Sequence, residues 1–194
     1  MKPTIDKSTA ILNAAARRFR RDGFTKTSLA DIAADCSISM AHIYNFYDSK
    51  IALACAVVEG AVEEIIATIE MGIAQEAPAT EQMTQALLLE FDTTYRFSEN
   101  NTGFLSCLNA VSEKRAEFWG NLLRRLRGPL TAILRNGRDT GVFPLRDPAR
   151  TAELVQTAMM PFRFPQRLGP TRQARLRADC FGVVELLVYG VTGR

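Results

Sequence analysis

A chain of 194 residues that is 47% hydrophobic and 23% charged has enough apolar side chains to bury a sizeable core, which excludes an intrinsically disordered protein. No apolar run approaches the ~20 residues that cross a bilayer, and the N-terminal stretch MKPTIDKSTAILNAAARRF lacks the apolar centre of a secretion signal, so a soluble cytoplasmic protein is expected. The net charge of +3 conceals an asymmetry: residues 1–50 carry +3, residues 51–113 carry −9 and residues 114–194 carry +9, so the first segment suits an anionic partner while the other two attract each other.

The pattern is helical almost throughout, and no alternating β-branched runs flank a hairpin turn. The first predicted helix runs from Lys7 to Arg21, with Ile11, Leu12, Ala15, Ala16 and Phe19 on one face and Gly23 as its stop. Ser28, followed by Asp31, caps a second helix ending by Asp35. Cys36-Ser37-Ile38 is a turn, and Ser39 caps a third helix from Met40 to Tyr47. Three short helices with a turn of about four residues between the second and third make a helix-turn-helix unit. Ile38, Ile43 and Tyr47 seat the third helix, which leaves Met40, Ala41, His42, Tyr44, Asn45 and Phe46 on a free face suited to DNA.

Beyond Asp48-Ser49 the predicted helices lengthen: residues 50–74, residues 80–98 with Met83, Leu87, Phe91 and Tyr95 at four-residue spacing, and residues 104–112. A long helix over residues 113–136, bent near Gly128-Pro129 and stopped by Gly137, is followed by one that Asp147-Pro148 starts and Pro161 stops. Residues 162–170 read as irregular, and the last helix as 171–189.

Four cysteines at positions 36, 55, 107 and 180 form no C-x-x-C pair, and His42 is the sole histidine. That inventory suits neither zinc nor a disulfide framework; the thiols read as reduced and mostly buried, with redox sensing as the second reading. Residues of catalytic type form no recognisable constellation: there is no Gly-x-Ser-x-Gly and no phosphate-cradling glycine loop, so no enzyme, cofactor or metal is expected.

Residues 8 to about 55 resemble the tetracycline-repressor (TetR) family of bacterial transcriptional regulators. The residues that carry the resemblance are Ile11, Leu12, Ala14, Ala15, Phe19, Gly23, Phe24, Thr27, Ser28, Ile32, Ala33, Ile38, Ser39, Ile43, Tyr44, Tyr47, Ser49 and Lys50. Two positions depart from the family pattern: Ser37 stands where glycine is usual in the turn, and Ala41 where glycine is frequent in the third helix. If the turn needs a positive φ, Ser37 adopts it at a cost of roughly 1 kcal/mol.

The resemblance implies an all-α chain: a three-helix DNA-binding domain over residues 1–50 and a helical ligand-binding and dimerisation domain over residues 51–194. It also implies a homodimer on palindromic double-stranded DNA, released by a small-molecule effector. The DNA-facing candidates are Thr27, Ser28, Ser39, Met40, Ala41, His42, Tyr44, Asn45, Phe46 and Lys50. Tyr44 and Lys50 suit phosphates, Asn45 suits adenine, and the apolar groups suit thymine methyls. Effector-pocket candidates are Met83, Leu87, Phe91, Tyr95, Phe104, Leu108, Trp119, Met159, Met160, Phe162 and Phe164. Arg96 and Arg163 are possible orienting charges, and core packing is the alternative reading of the same apolar stripe. A dimer seam is expected on the last two helices, at Val155, Phe181, Val184, Leu187 and Val188. A dimeric helical scaffold without effector response is the rival reading; a mainly apolar effector is the preferred one.

Overall fold

The computed structural model describes residues 6–163 and 173–193, in which the chain forms ten helices and no strand. Phe164, the irregular segment 164–170 and the start expected for the last helix at residue 171 lie outside the described residues. The helices are α1 (Lys7–Arg21), α2 (Leu29–Asp35), α3 (Met40–Tyr44), α4 (Lys50–Gly72), α5 (Ala79–Asn100), α6 (Phe104–Lys114), α7 (Ala116–Leu126), α8 (Gly128–Asp139), α9 (Pro148–Arg163) and α10 (Gln173–Thr192). None of the described helices is long and apolar enough to cross a membrane.

Packing groups the chain into two units: residues 1–62 with 99–122, and residues 63–98 with 123–194. In the first, α1 buries Ile11, Ala14, Ala15 and Phe19, the spacing of one helical face. Ser28 and Asp31 form a reciprocal capping box: Asp31 N donates to Ser28 Oγ at 3.1 Å and Ser28 N donates to Asp31 Oδ2 at 2.9 Å. Arg18 then ties α1 to α2, its Nε and Nη2 donating to the Asp35 carboxylate at 2.6 and 2.7 Å. That bidentate pair lowers the Asp35 pKa and raises that of Arg18.

The second unit gathers its apolar side chains around Met83, Leu87, Phe91, Leu134, Phe143 and Cys180, all almost wholly buried. The expected helix 113–136 is three pieces: its first residues end α6, and the rest divides into α7 and α8. The chain breaks at Arg115 (φ −139°, ψ 56°) and again at Arg127. Pro129 explains the second break, because it has no N–H to donate back into α7. Gly137 does not stop α8. It lies buried inside the helix, where an added Cβ would meet the Phe143 ring at 2.1 Å, and the chain turns at Gly141 (φ +77°). Asp147 caps α9 as expected, its Oδ1 accepting from Arg150 N at 3.0 Å, but Pro161 sits within α9 rather than ending it.

The turn between α2 and α3 answers the question that Ser37 raised. Ser37 has φ +55°. Ile38 N donates to Ala33 O at 3.0 Å and Ser37 N to Ala34 O at 3.1 Å, the paired bonds of a Schellman motif whose left-handed position favours glycine. Serine there bears a Cβ penalty of about 1 kcal/mol, partly offset by the greater unfolded-state freedom of glycine. Ser37→Gly is therefore expected to raise stability by a few tenths to about 1 kcal/mol, measurable as a raised Tm in thermal unfolding.

Candidate nucleic-acid interface

α3 is held from below and open above. Ser39 caps it, accepting from His42 N at 3.2 Å, and Ile43 is wholly buried, with Ile38 and Tyr47 half-buried beside it. The helix closes at Tyr44, shorter than the Met40–Tyr47 expected. Asn45 N, Phe46 N and Tyr47 N bond back to the carbonyls of His42 and Ile43 in tight turns, so aromatic residues cover the corner before α4.

On the open side Met40, Tyr44 and Phe46 are 47%, 48% and 40% exposed, which is unusual for large apolar side chains. Ser39, Ala41 and Asn45 are exposed as well. His42 is half-buried, its ring set edge-on to Phe46 with centroids 5.6 Å apart. Six of the ten DNA-facing candidates thus share one short exposed segment, residues 39–46 without His42 and Ile43.

The remaining candidates have internal partners. Thr27 is 2% exposed and its hydroxyl donates to Gly23 O at 2.8 Å. The exposed Ser28 has its N–H held by Asp31. Lys50, half-buried at the start of α4, donates to the carbonyls of Phe24 at 2.9 Å and Thr27 at 3.0 Å and stands 4.2 Å above the Phe24 ring. Burial lowers its pKa, and nearby Lys114 adds to the shift. An ammonium has three donors, so the two carbonyls leave one N–H of Lys50 uncommitted to them. Sequence reasoning placed Lys50 at the interface but missed this clasp, because carbonyl partners have no signature in side-chain pattern.

The apolar candidates divide between the two units. Phe104 is buried, and Leu108 and Trp119 half-buried, in the first. In the second, Met83, Leu87, Phe91, Met159 and Phe162 are all buried in the apolar core, with Tyr95 packed against it. Phe91 meets Phe162 edge-on at 6.3 Å and Tyr95 at 5.8 Å. Arg163 forms an ion pair with Glu90, and the two side chains are only 7% and 10% exposed. Arg96 is exposed and donates to Asp92 O at 3.2 Å. Two surface cavities in this unit lie elsewhere: one of about 500 Å³ beside Thr80, Val142 and Thr192, the other of about 310 Å³ beside Gln82, Pro129 and Ile133. Neither is lined by the residues expected to hold an effector.

On α9 and α10, Val155 and Val184 are buried in the protomer's own core and Leu187 and Val188 are half-buried, while Phe181 is 42% exposed. Leu154, Leu186 and Tyr189, which the sequence pattern did not single out, are more exposed than Phe181. The four cysteines are free; burial pushes Cys107 and Cys180 up to about 12.

The family model described as "Bacterial regulatory proteins, tetR family" matches residues 11–57, and "Tetracyclin repressor-like, C-terminal domain" matches residues 79–184. The chain belongs to the TetR family of transcriptional regulators. Solved structures of regulators share its fold. A transcriptional regulator from Cytophaga hutchinsonii matches with TM-score 0.70 at 18% identity over 94% of this chain and 96% of that one. A tetR-family regulatory protein from Rhodococcus RHA1 matches with TM-score 0.64 at 21% identity over 97% and 98%. The flavonoid-responsive regulator FrrA matches with TM-score 0.69 at 16% identity over 97% and 98%. No curated protein matches the chain. The helix-turn-helix of a TetR regulator is its DNA-binding element, so the exposed α3 segment of this chain belongs to a DNA-binding head.

Lys50→Ala removes two charge-assisted hydrogen bonds and a cation–π contact. It is expected to cost about 1–3 kcal/mol of stability, seen as a lowered Tm in thermal unfolding.

Proposed function

We propose that this TetR regulator is a homodimeric repressor that reads a palindromic operator with two copies of α3 and releases it when a small, mainly apolar effector binds. In this reading residues 1–50 touch DNA, while residues 51–194 provide the effector site and the dimer seam. The observation that carries it is the exposure of Met40, Tyr44, Asn45 and Phe46 around the fully buried Ile43. A rigidly seated helix with polar and apolar groups turned outward matches base edges and thymine methyls, and nothing inside the protomer needs those groups exposed.

Two heads are needed because one five-residue helix touches too few bases for a specific site, and two-fold pairing doubles the reading. Leu154, Phe181, Leu186 and Tyr189, exposed on α9 and α10, support a seam there, with Leu187 and Val188 at its margin. Val155 and Val184 then back the seam from within. Asn45→Ala is expected to lose about 1–3 kcal/mol on the chain's own upstream DNA and much less on random duplex, read by fluorescence anisotropy. Equal losses on the two DNAs would remove Asn45 from base reading, and sedimentation as a monomer at micromolar concentration would remove the dimer.

The effector class rests on this chain's own residues, because FrrA shares only the fold at 16% identity. Phe91, Tyr95, Met159 and Phe162 offer aromatic and thioether surface, with Arg163, paired to the buried Glu90, as the charge beside them. An effector shifts DNA release only by the difference of its affinities for the two states. Phe91→Ala is expected to weaken the response to any compound that releases DNA by tenfold or more, measured by titration of the protein–DNA complex. An unchanged response would make the stripe from Met83 to Tyr95 plain core.

A further inference from the structure

The first unit contains a charge arrangement that folding alone does not explain. The Phe24 ring has two ammonium groups on it: Lys50 Nζ at 4.2 Å from the centroid and Lys114 Nζ at 5.7 Å. The two nitrogens are therefore within about 10 Å of each other, close to the ~8 Å Debye length at physiological salt, so their repulsion is weakened by screening but not abolished. Neither forms an ion pair with a carboxylate among the described residues. Lys50 has a structural role, closing the turn between α1 and α2 through two carbonyls. Lys114 closes no such turn and lies exposed at the end of α6, followed by the exposed Arg115. Lys114, at 5.7 Å, stands near the outer limit of a cation–π contact, so the ring holds it only weakly. An external anion turns this repulsion into attraction.

We infer that Lys114 is a DNA-phosphate-binding residue, contributed to the reading head by α6, more than fifty residues beyond the helix-turn-helix in sequence. This rests on the DNA-binding reading and extends its footprint past residues 11–57, the part matched by the family's DNA-binding model. The partner is the sugar–phosphate backbone of duplex DNA. A single ammonium on a flexible stem carries no base-edge pattern, so it adds affinity without sequence preference. Lys114 and Lys50 together present two positive charges from different parts of the chain to one stretch of backbone.

The test needs no known operator. A fluorescein-labelled random 30-base-pair duplex is titrated with wild type, Lys114→Gln, Lys114→Arg and, as control, Arg135→Gln on the exposed side of α8, at several salt concentrations from roughly 0.05 to 0.25 M. Lys114→Gln is expected to reduce the slope of log K against log salt by about 0.9 per bound protomer and to weaken binding about fivefold per protomer near 0.15 M. Lys114→Arg is expected to keep both, and Arg135→Gln to change neither. Thermal unfolding of each variant separates a phosphate contact from a packing role. A Lys114→Gln slope equal to that of wild type overturns the inference while leaving the DNA-binding reading intact, even if its Tm falls. Wild-type protein that fails to bind the duplex at every salt concentration overturns both.

Discussion

The first unit depends on a close approach between two stretches of main chain about eighty residues apart. Gly103 N donates to Arg20 O at 2.9 Å, and a Cβ on Gly103 would stand 2.5 Å from Gly23 N and 2.9 Å from Phe19 O. Gly23 is left-handed at φ +86°, and a Cβ there would meet Ser106 Oγ at 2.6 Å. Ser106 completes the join, accepting from Phe24 N at 2.7 Å and donating to Gly103 O at 2.8 Å. Only glycine at both places allows backbone to lie on backbone. This contact draws α6 into the unit that contains the helix-turn-helix and sets Phe104, Cys107 and Val111 in its core. It also brings Lys114 to the Phe24 ring.

Local chemistry was legible wherever a residue acts on its own neighbourhood. The Ser28–Asp31 box, the Asp147–Pro148 start and the strain at Ser37 all follow from a few adjacent residues, and so does most of the α1 stripe, although Ala14 is buried there and the expected Leu12 and Ala16 are only half-buried. The all-α architecture followed from their sum. What was not legible is set at a distance. Gly137 reads as a helix stop, yet its missing side chain makes room for Phe143. Pro161 reads as a terminator, yet α9 continues through it to Arg163. In the candidate interface, the exposure of Met40, Ala41, Tyr44, Asn45 and Phe46 could be read from one buried Ile43 and a capping serine, whereas His42, expected on the same free face, is half-buried against Phe46. The clasp of Lys50 on two carbonyls could not, because any side chain can face a carbonyl.

The ion pair of Arg163 with Glu90 has a similar lesson for the second unit. Removing two charges from water is costly, and a hydrophobic pair of the same volume would often stabilise the fold as much or more. Either partner alone would be a buried unpaired charge, so the pair joins α5 to α9 at one place. Around it Phe91, Phe162 and Met159 make contacts that alternative packings could imitate, whereas a guanidinium opposite a carboxylate has few substitutes.

The arginines of the head have one more consequence. Arg18 grips Asp35, Arg21 grips Asp22 through two bonds of 2.8 and 2.7 Å, and Lys50 is turned partly inward. Two of the eight basic residues among residues 1–50 thus already have a carboxylate of their own at the surface. A phosphate approaching either guanidinium must compete with the carboxylate already bonded to it.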